Sequence, residues 1–256
     1  MNLDTELHVA YKFGNASINT FPYPHLYIHN VFPNDFYSQI LKKLPSIDSM
    51  TSLPDVYPEQ PGFKGYKERY VLEFLRDQHI QKIEKDKQEF WKGVSSSLLK
   101  GQFGNLLRAK FKSYLDMRFK LIGDVNFSVE MQLVNDKKNY SLGPHSDHPR
   151  KVISALLYLP KDMSQQEIGT SIYIPKDPDF IYGHKEYGHF KKDLFHKVIT
   201  MPFVPNSAFC FVKTNNAFHG VEPLEKENTD RWVLLFDIYI SEEIQLREEE
   251  AKAKFK

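Results

Sequence analysis

The sequence predicts an all-β core with flanking helices, in the α+β class. The chain has 256 residues and 41% hydrophobic content, which is enough for one large folded domain. Its 20 Phe and 14 Tyr favour a β-rich core over a helical bundle. From about residue 127 the apolar pattern changes to that of short strands separated by turn residues. We count eight strand candidates, and eight antiparallel strands are typical of a jelly roll, also called a double-stranded β-helix.

Residues 1–125 are expected to form an extended and helical support region that packs on one sheet. Residues 1–34 read as irregular, with Pro22 and Pro24 holding an extended segment. Asn34 is a candidate N-cap for a helix that ends before Pro45. A loop over 46–68 and helices over about 76–99 and 104–118 follow.

Residues 126–241 are expected to form the β core, and residues 242–256 a charged helix or frayed end. We expect one compact domain. The predicted strands are 127–134, 140–146, 151–159, 169–174, 196–201, 207–212, 217–222 and 230–240. The single cysteine, Cys210, excludes an internal disulfide and reads as a buried strand residue.

The charge balance gives no reason to expect a nucleic-acid partner. Lys and Arg together number 34, and Asp and Glu number 33. No apolar run approaches the roughly 20 residues that span a bilayer. The first six residues lack the pattern of a signal peptide, so we expect a cytoplasmic protein of undetermined oligomeric state.

Three side chains predict a metal site. His145 and Asp147 are two residues apart on an extended segment, so their side chains project to the same side. His219, which lies 72 residues after Asp147, supplies a third ligand. Two imidazole nitrogens and one carboxylate suit Fe(II) and leave positions open for other ligands.

Arg231 lies 12 residues beyond His219, on an apolar segment that reads as the next strand. A guanidinium group pairs with a carboxylate through two parallel hydrogen bonds. Arg231 is therefore a candidate partner for a carboxylate ligand.

Four segments together resemble the Fe(II)- and 2-oxoglutarate-dependent dioxygenases, and most of all their prolyl-hydroxylase-like branch. The resemblance covers about residues 127–240. The segments are Gly143-Pro144-His145-Ser146-Asp147, Ser154-Ala155-Leu156-Leu157-Tyr158-Leu159-Pro160, Gly169-Thr170-Ser171, and Phe218-His219-Gly220-Val221 followed by Arg231.

This resemblance implies an enzyme that uses Fe(II), 2-oxoglutarate and O2 to hydroxylate a substrate and releases succinate and CO2. It implies that Arg231 and Tyr158 bind the distal carboxylate of 2-oxoglutarate, although Tyr158 also fits a plain core role. Many relatives carry a small hydroxyl residue two places after the arginine, where this chain has Val233. Arg150 and Lys151 are further cations near the site. They could bind the co-substrate or an anionic substrate, or they could simply be exposed to solvent.

The loop over 175–195 has two interpretations. Its Tyr182 and Tyr187 suit a lid that touches substrate, but a surface loop packed by its own aromatic residues fits equally well. A zinc cluster is a competing metal site, although its spacing fits neither a helical pair nor a close strand pair. Its members would be His184, Glu186, His189 and His196.

Two functions other than a dioxygenase stay open at this point. A cupin-like jelly roll, either an isomerase or a sugar-binding module, would use the same three ligands with another metal and would have no use for Arg231. A partner protein with a vestigial site is the other, and the intact ligand set counts against it. No feature distinguishes a small-molecule, saccharide or peptidyl substrate.

Overall fold

The computed structural model describes residues 1–180 and 189–254 as two antiparallel sheets flanked by helices. The described α-helices are α1 (Leu3–Asn15), α2 (Asn34–Lys42), α3 (Leu53–Val56), α4 (Asp77–Lys82), α5 (Lys85–Lys100), α6 (Phe103–Lys110), α7 (Lys112–Phe119) and α8 (Glu242–Ala253). The strands are β1 (His25–His29), β2 (Thr51–Ser52), β3 (Arg69–Glu73), β4 (Phe127–Asp136), β5 (Leu142–His145), β6 (Lys151–Tyr158), β7 (Ser171–Pro175), β8 (Phe195–Thr200), β9 (Ser207–Val212), β10 (His219–Val221) and β11 (Arg231–Ile240). None of the described helices has the length and apolar character needed to cross a membrane.

The larger sheet has seven strands in the order β1-β9-β6-β11-β4-β3-β2, and the smaller has four in the order β5-β10-β7-β8. All eight strands predicted after residue 127 are present, with ends that differ by a few residues. Cys210 is buried in β9, as predicted.

Two apolar cores hold the layers together. On the outer face of the larger sheet, Phe103 of α6 packs edge-on against Phe13 and Phe236, with ring centroids 4.9 Å apart in each pair. The second core lies between the sheets and includes Tyr158 and Val233. Side chains alternate along each strand, so one face of β11 packs on the helices and the other faces the smaller sheet.

The expectation of irregular structure over residues 1–34 was wrong, because α1 fills much of it. The Asn2 side chain accepts a hydrogen bond from the Thr5 backbone N–H and caps the helix. Thr5, Val9 and Phe13 are buried at four-residue spacing, so this face of α1 packs against the protein core. The predicted Asn34 cap was also wrong, since Pro33 precedes α2 and no side chain caps it.

The two long predicted helices are each divided in two. Ile83 adopts an extended backbone between α4 and α5, and Phe111 separates α6 from α7. Strand β1, predicted only as an extended segment, and strand β3, which lies between the predicted loop and helix, join the larger sheet beside β9 and β4. Residues 1–125 therefore supply three of its seven strands, namely β1, β2 and β3.

Truncating Phe236 tests the packing between helices and sheet. We expect Phe236→Ala to lower the free energy of unfolding by about 3–5 kcal/mol, because the cavity would open in the fully buried contact with Phe103. Urea denaturation measures this change. Leu246→Ala on the exposed face of α8 serves as the control and should change stability by about 0.5 kcal/mol or less. Equal losses in the two variants would contradict the assigned core.

Candidate metal centre

The candidate site is built on the pairing of two short strands. In the antiparallel pair β5–β10, His219 lies directly opposite His145, so residues 74 positions apart become cross-strand neighbours. The backbones approach closely here, because a Cβ on Gly220 would lie 2.4 Å from the Leu142 carbonyl oxygen. Glycine at this position therefore permits the close pairing that joins the two imidazoles.

Asp147 completes a compact group with these histidines. Its Oδ1 lies 3.9 Å from His145 Nε2 and 3.8 Å from His219 Nε2. The ligand atoms of the three residues all lie within 4.8 Å of one another, which one metal ion can bridge. Among the described residues this is the group with the spacing of a metal site. The structure thus brings together the three side chains selected from the sequence.

Backbone carbonyls orient both imidazoles. His145 Nδ1 lies 3.0 Å from the Gly143 carbonyl oxygen, and His219 Nδ1 lies 2.9 Å from that of Ala217. A carbonyl only accepts, so each Nδ1 carries the hydrogen and each Nε2 keeps its lone pair for a metal.

The ionisation states also suit a cation. Burial lowers the pKa of His145 and of His219, which favours neutral imidazoles. Burial alone would raise the pKa of Asp147, but Lys151 and the two histidines lower it below its usual range. At neutral pH the site therefore offers two neutral nitrogens and one carboxylate.

Two neighbours fix the carboxylate of Asp147. Ser154 donates a hydrogen bond from Oγ to Asp147 Oδ2 at 3.0 Å, and Lys151 Nζ lies 3.5 Å from Oδ1. Lys151 also pairs with Asp237 at 3.1 Å. These carboxylates raise the pKa of Lys151 well above its usual value, although burial acts in the opposite direction. Lys151 therefore lies beside the candidate metal ligands as a protonated, partnered residue.

Arg231 lies in the inter-sheet core and is 1% exposed. Its Nη1 donates to Asp136 Oδ2 at 2.6 Å and its Nε to the Ile168 carbonyl at 2.7 Å, while Nη2 lies 3.3 Å from Thr170 Oγ1. These partners leave one N–H on each terminal nitrogen for a ligand. Asp136 is shared with Arg69, which binds it through Nε at 2.6 Å and Nη2 at 2.9 Å.

Tyr158 lies close to Arg231, as the sequence resemblance implied. The guanidinium carbon is 6.0 Å from the ring centroid of Tyr158, and the Tyr158 hydroxyl accepts a hydrogen bond from the Thr170 N–H at 3.1 Å. Burial raises the pKa of Tyr158 to about 12, so the phenol keeps its hydrogen at neutral pH.

No protein-family model and no curated protein matches this sequence. Solved structures do match it. A structure reported for prolyl 4-hydroxylases from Phytophthora capsici is 13% identical, with a TM-score of 0.51 over 94% of this chain and 67% of that one.

This chain has the fold of that prolyl 4-hydroxylase. The resemblance found in the sequence is therefore confirmed at the level of the fold. A prolyl 4-hydroxylase from Pseudomonas putida matches with 13% identity and a TM-score of 0.44, over 92% of this chain and 97% of that one. The epimerase SnoN from nogalamycin biosynthesis matches with 10% identity and a TM-score of 0.46, over 91% of this chain and 82% of that one.

Within this prolyl 4-hydroxylase fold, the other predicted site residues have different outcomes. Arg150 is exposed to solvent. Tyr182 and Tyr187, the proposed substrate and lid residues, lie outside the described part of the chain, as do His184 and Glu186 of the alternative zinc cluster. The two described members of that cluster, His189 and His196, lie in different surroundings. The ring of His189 packs edge-on against that of His145 with centroids 4.9 Å apart, whereas His196 is exposed on β8.

Sequence reasoning missed four polar residues of the site. Ser154 belongs to one of the four segments that carry the sequence resemblance. Its side chain points toward Asp147 because side chains alternate between the two faces of a strand. Asp237, Asp136 and Arg69 are buried or partly buried charges on strands of the larger sheet. A charge within an apolar strand, such as Asp237 in β11, was the available signal because such residues are rarely buried without a partner.

Removing the Ser154 hydroxyl tests the support of Asp147. We expect Ser154→Ala to weaken Mn(II) binding about tenfold, because outer hydrogen-bond partners commonly contribute ten- to hundredfold to metal affinity. Calorimetric titration of the metal-free protein measures the effect. Ser146→Ala is the matched control, since its Oγ donates to the Thr214 carbonyl instead. Equal affinities in the two variants would contradict the role of Ser154.

Proposed function

We propose that this chain is an Fe(II)- and 2-oxoglutarate-dependent dioxygenase that hydroxylates a substrate with O2 and releases succinate and CO2. The observation that carries the proposal is the cross-strand pair His145–His219 with Asp147 beside both Nε2 atoms. The prolyl 4-hydroxylase fold supports it.

The donor set fits ferrous iron. Two imidazole nitrogens and one carboxylate oxygen are the ligands that non-haem oxygenases use, and they leave adjacent positions for other molecules. In this proposal His145, Asp147 and His219 hold the iron, and iron when bound supplies the redox chemistry that activates O2. The Asp147 carboxylate also favours hydroxylation over halogenation, because it fills the position that a halide would need.

The surroundings of Arg231 fit the co-substrate. A buried carboxylate needs a charged partner with directed hydrogen bonds, and the remaining N–H groups of Arg231 can provide them. In this proposal Tyr158 donates its phenol hydrogen to the same distal carboxylate of 2-oxoglutarate. Ser154 and Lys151 hold Asp147 in place, so the chain's own residues bind and orient the reactants.

Residues 126–241 would then form a jelly-roll catalytic core supported on one sheet by residues 1–125. The cupin-like alternative is not favoured, because an isomerase or sugar-binding module would have no use for the buried Arg231. The substrate class stays open between small molecules, saccharides and peptides.

An anaerobic titration tests the proposal. Fe(II) is added first and 2-oxoglutarate second, and the weak visible charge-transfer band of the chelate is recorded. A band supports the dioxygenase. Metal binding without a band would favour the cupin-like protein, and the absence of metal binding would favour a vestigial site.

Loss of a metal ligand should abolish turnover. We expect Asp147→Ala and His219→Ala each to eliminate iron-dependent conversion of 2-oxoglutarate to succinate, because two ligands do not hold the ion in place. His196→Ala, which removes an exposed histidine, is the control and should retain wild-type conversion. Full turnover in either ligand variant would show that the metal site is misassigned.

Loss of the Arg231 guanidinium should weaken the binding of 2-oxoglutarate and leave the binding of Fe(II) unchanged. We expect Arg231→Ala to raise the 2-oxoglutarate concentration needed for half-maximal turnover by roughly tenfold or more, because each hydrogen bond to a charged group contributes about 1.5–3 kcal/mol. Fe(II) affinity should stay at the wild-type value. An unchanged requirement for 2-oxoglutarate, with thermal unfolding confirming a folded variant, would rule out this role.

A further inference from the structure

A row of three charges crosses the larger sheet at one end of the inter-sheet core. Asp136 lies directly opposite Arg231 in the β4–β11 pairing and directly opposite Arg69 in the β3–β4 pairing. Each arginine forms an ion pair with Asp136. The side chains of Asp136 and Arg231 are 0% and 1% exposed, and that of Arg69 is 15% exposed.

The row carries one net positive charge. Two guanidinium groups face one carboxylate, and in the described part of the chain no second acid forms an ion pair with either arginine. An unbalanced buried charge is costly unless an anion accompanies it. A single carboxylate from a ligand would neutralise the row, whereas Arg231 and Asp136 alone would already be neutral.

The hydroxyl of Tyr140 is a second and independent sign of a ligand. Tyr140 is 2% exposed and belongs to the same inter-sheet core as Tyr158 and Val233. Its Oη has no hydrogen-bond partner within the described residues, although the Arg69 guanidinium covers its ring at 4.4 Å. Burial raises the pKa of Tyr140, so the hydroxyl is a hydrogen donor at neutral pH.

A buried donor without an acceptor is unfavourable, and most buried polar groups do have partners. A ligand carboxylate beside Arg231 would supply the missing acceptor. Val233, two residues after Arg231 on the same strand, has no hydroxyl that could donate to such a carboxylate. Tyr140, which lies in the connection between β4 and β5, can supply that hydroxyl.

We propose that Tyr140 donates a hydrogen bond to the distal carboxylate of a dicarboxylic 2-oxo acid held by Arg231. In the same proposal, Arg69 is a positioning residue: it binds Asp136 and so preserves the net positive charge of the subsite. This inference rests on the proposed dioxygenase function and extends it to residues 69, 136 and 140.

The first test compares two ligands of equal chain length. Anaerobic Fe(II)-loaded protein is titrated with 2-oxoglutarate and with 2-oxopentanoate, which has a methyl group in place of the distal carboxylate, and the chelate band gives each affinity. Tyr140→Phe removes one oxygen atom. We expect about tenfold weaker binding of 2-oxoglutarate, the usual effect of losing a hydrogen bond to a charged group, and unchanged binding of 2-oxopentanoate.

Thermal unfolding without ligand provides a second readout for Tyr140→Phe. The unfolding temperature should not fall, because the hydroxyl that is removed has no hydrogen-bond partner among residues 1–180 and 189–254. Wild-type affinity of this variant for 2-oxoglutarate would overturn the assignment of Tyr140. Equal weakening of both ligands would show a structural role instead and would also overturn it.

The second test uses charge changes of opposite sign. Arg69→Gln leaves Arg231 and Asp136 as a neutral pair, so the preference for 2-oxoglutarate over 2-oxopentanoate should fall about tenfold, whereas Asp136→Asn should raise it. Arg76→Gln, which breaks the ion pair with Glu73 at the opposite end of β3, is the matched control and should leave the preference unchanged. Changes of the same sign in the first two variants would overturn the role of Arg69.

The outcomes also separate this inference from the function on which it rests. If wild-type protein binds Fe(II) but forms no chelate band with 2-oxoglutarate, the proposed function fails. If the wild-type band forms and Tyr140→Phe and Arg69→Gln both behave as wild type, the dioxygenase stands and the subsite assignment fails.

Discussion

The antiparallel pairing of β5 with β10 is the constraint on which the site depends. It places two imidazoles opposite each other across a strand pair that is only a few residues long. A shift of one residue would turn one imidazole to the other face of the sheet, because side chains alternate along a strand. Gly220 permits the close approach, and carbonyl groups at residues 143 and 217 fix the ring orientations.

The space between the sheets carries charge at two places. Near β5, Asp147, Lys151 and Asp237 form a chain of ion pairs beside the histidines. Farther along the larger sheet, Arg231 and its partner Asp136 lie among apolar and aromatic residues. One place suits a cation and the other an anion, and this separation fits a molecule that chelates metal at one end and carries a carboxylate at the other.

The N-terminal region contributes to the site as well as to the support of the sheet. Its strand β3 pairs with β4 and brings Arg69 to Asp136, while α1 and α6 cover the outer face through the Phe13 and Phe103 rings. The buried charge row of Arg69, Asp136 and Arg231 therefore depends on residues from both halves of the chain. A fragment that begins at β4 would lose Arg69, and with it the net positive charge of the row formed by Arg69, Asp136 and Arg231.

The sequence by itself determined the eight strands of the core, and it selected His145, Asp147 and His219 as candidate metal ligands, which the structure brings together, and Arg231 as a candidate partner for a carboxylate. Local alternation and short motifs carry that information, because each depends on neighbours along the chain. Only the tertiary structure decided that α1 forms, that β3 joins the sheet, and that Asp136 lies between two arginines. Strand pairing and burial between distant segments set these features, and neither is encoded in a short stretch of sequence.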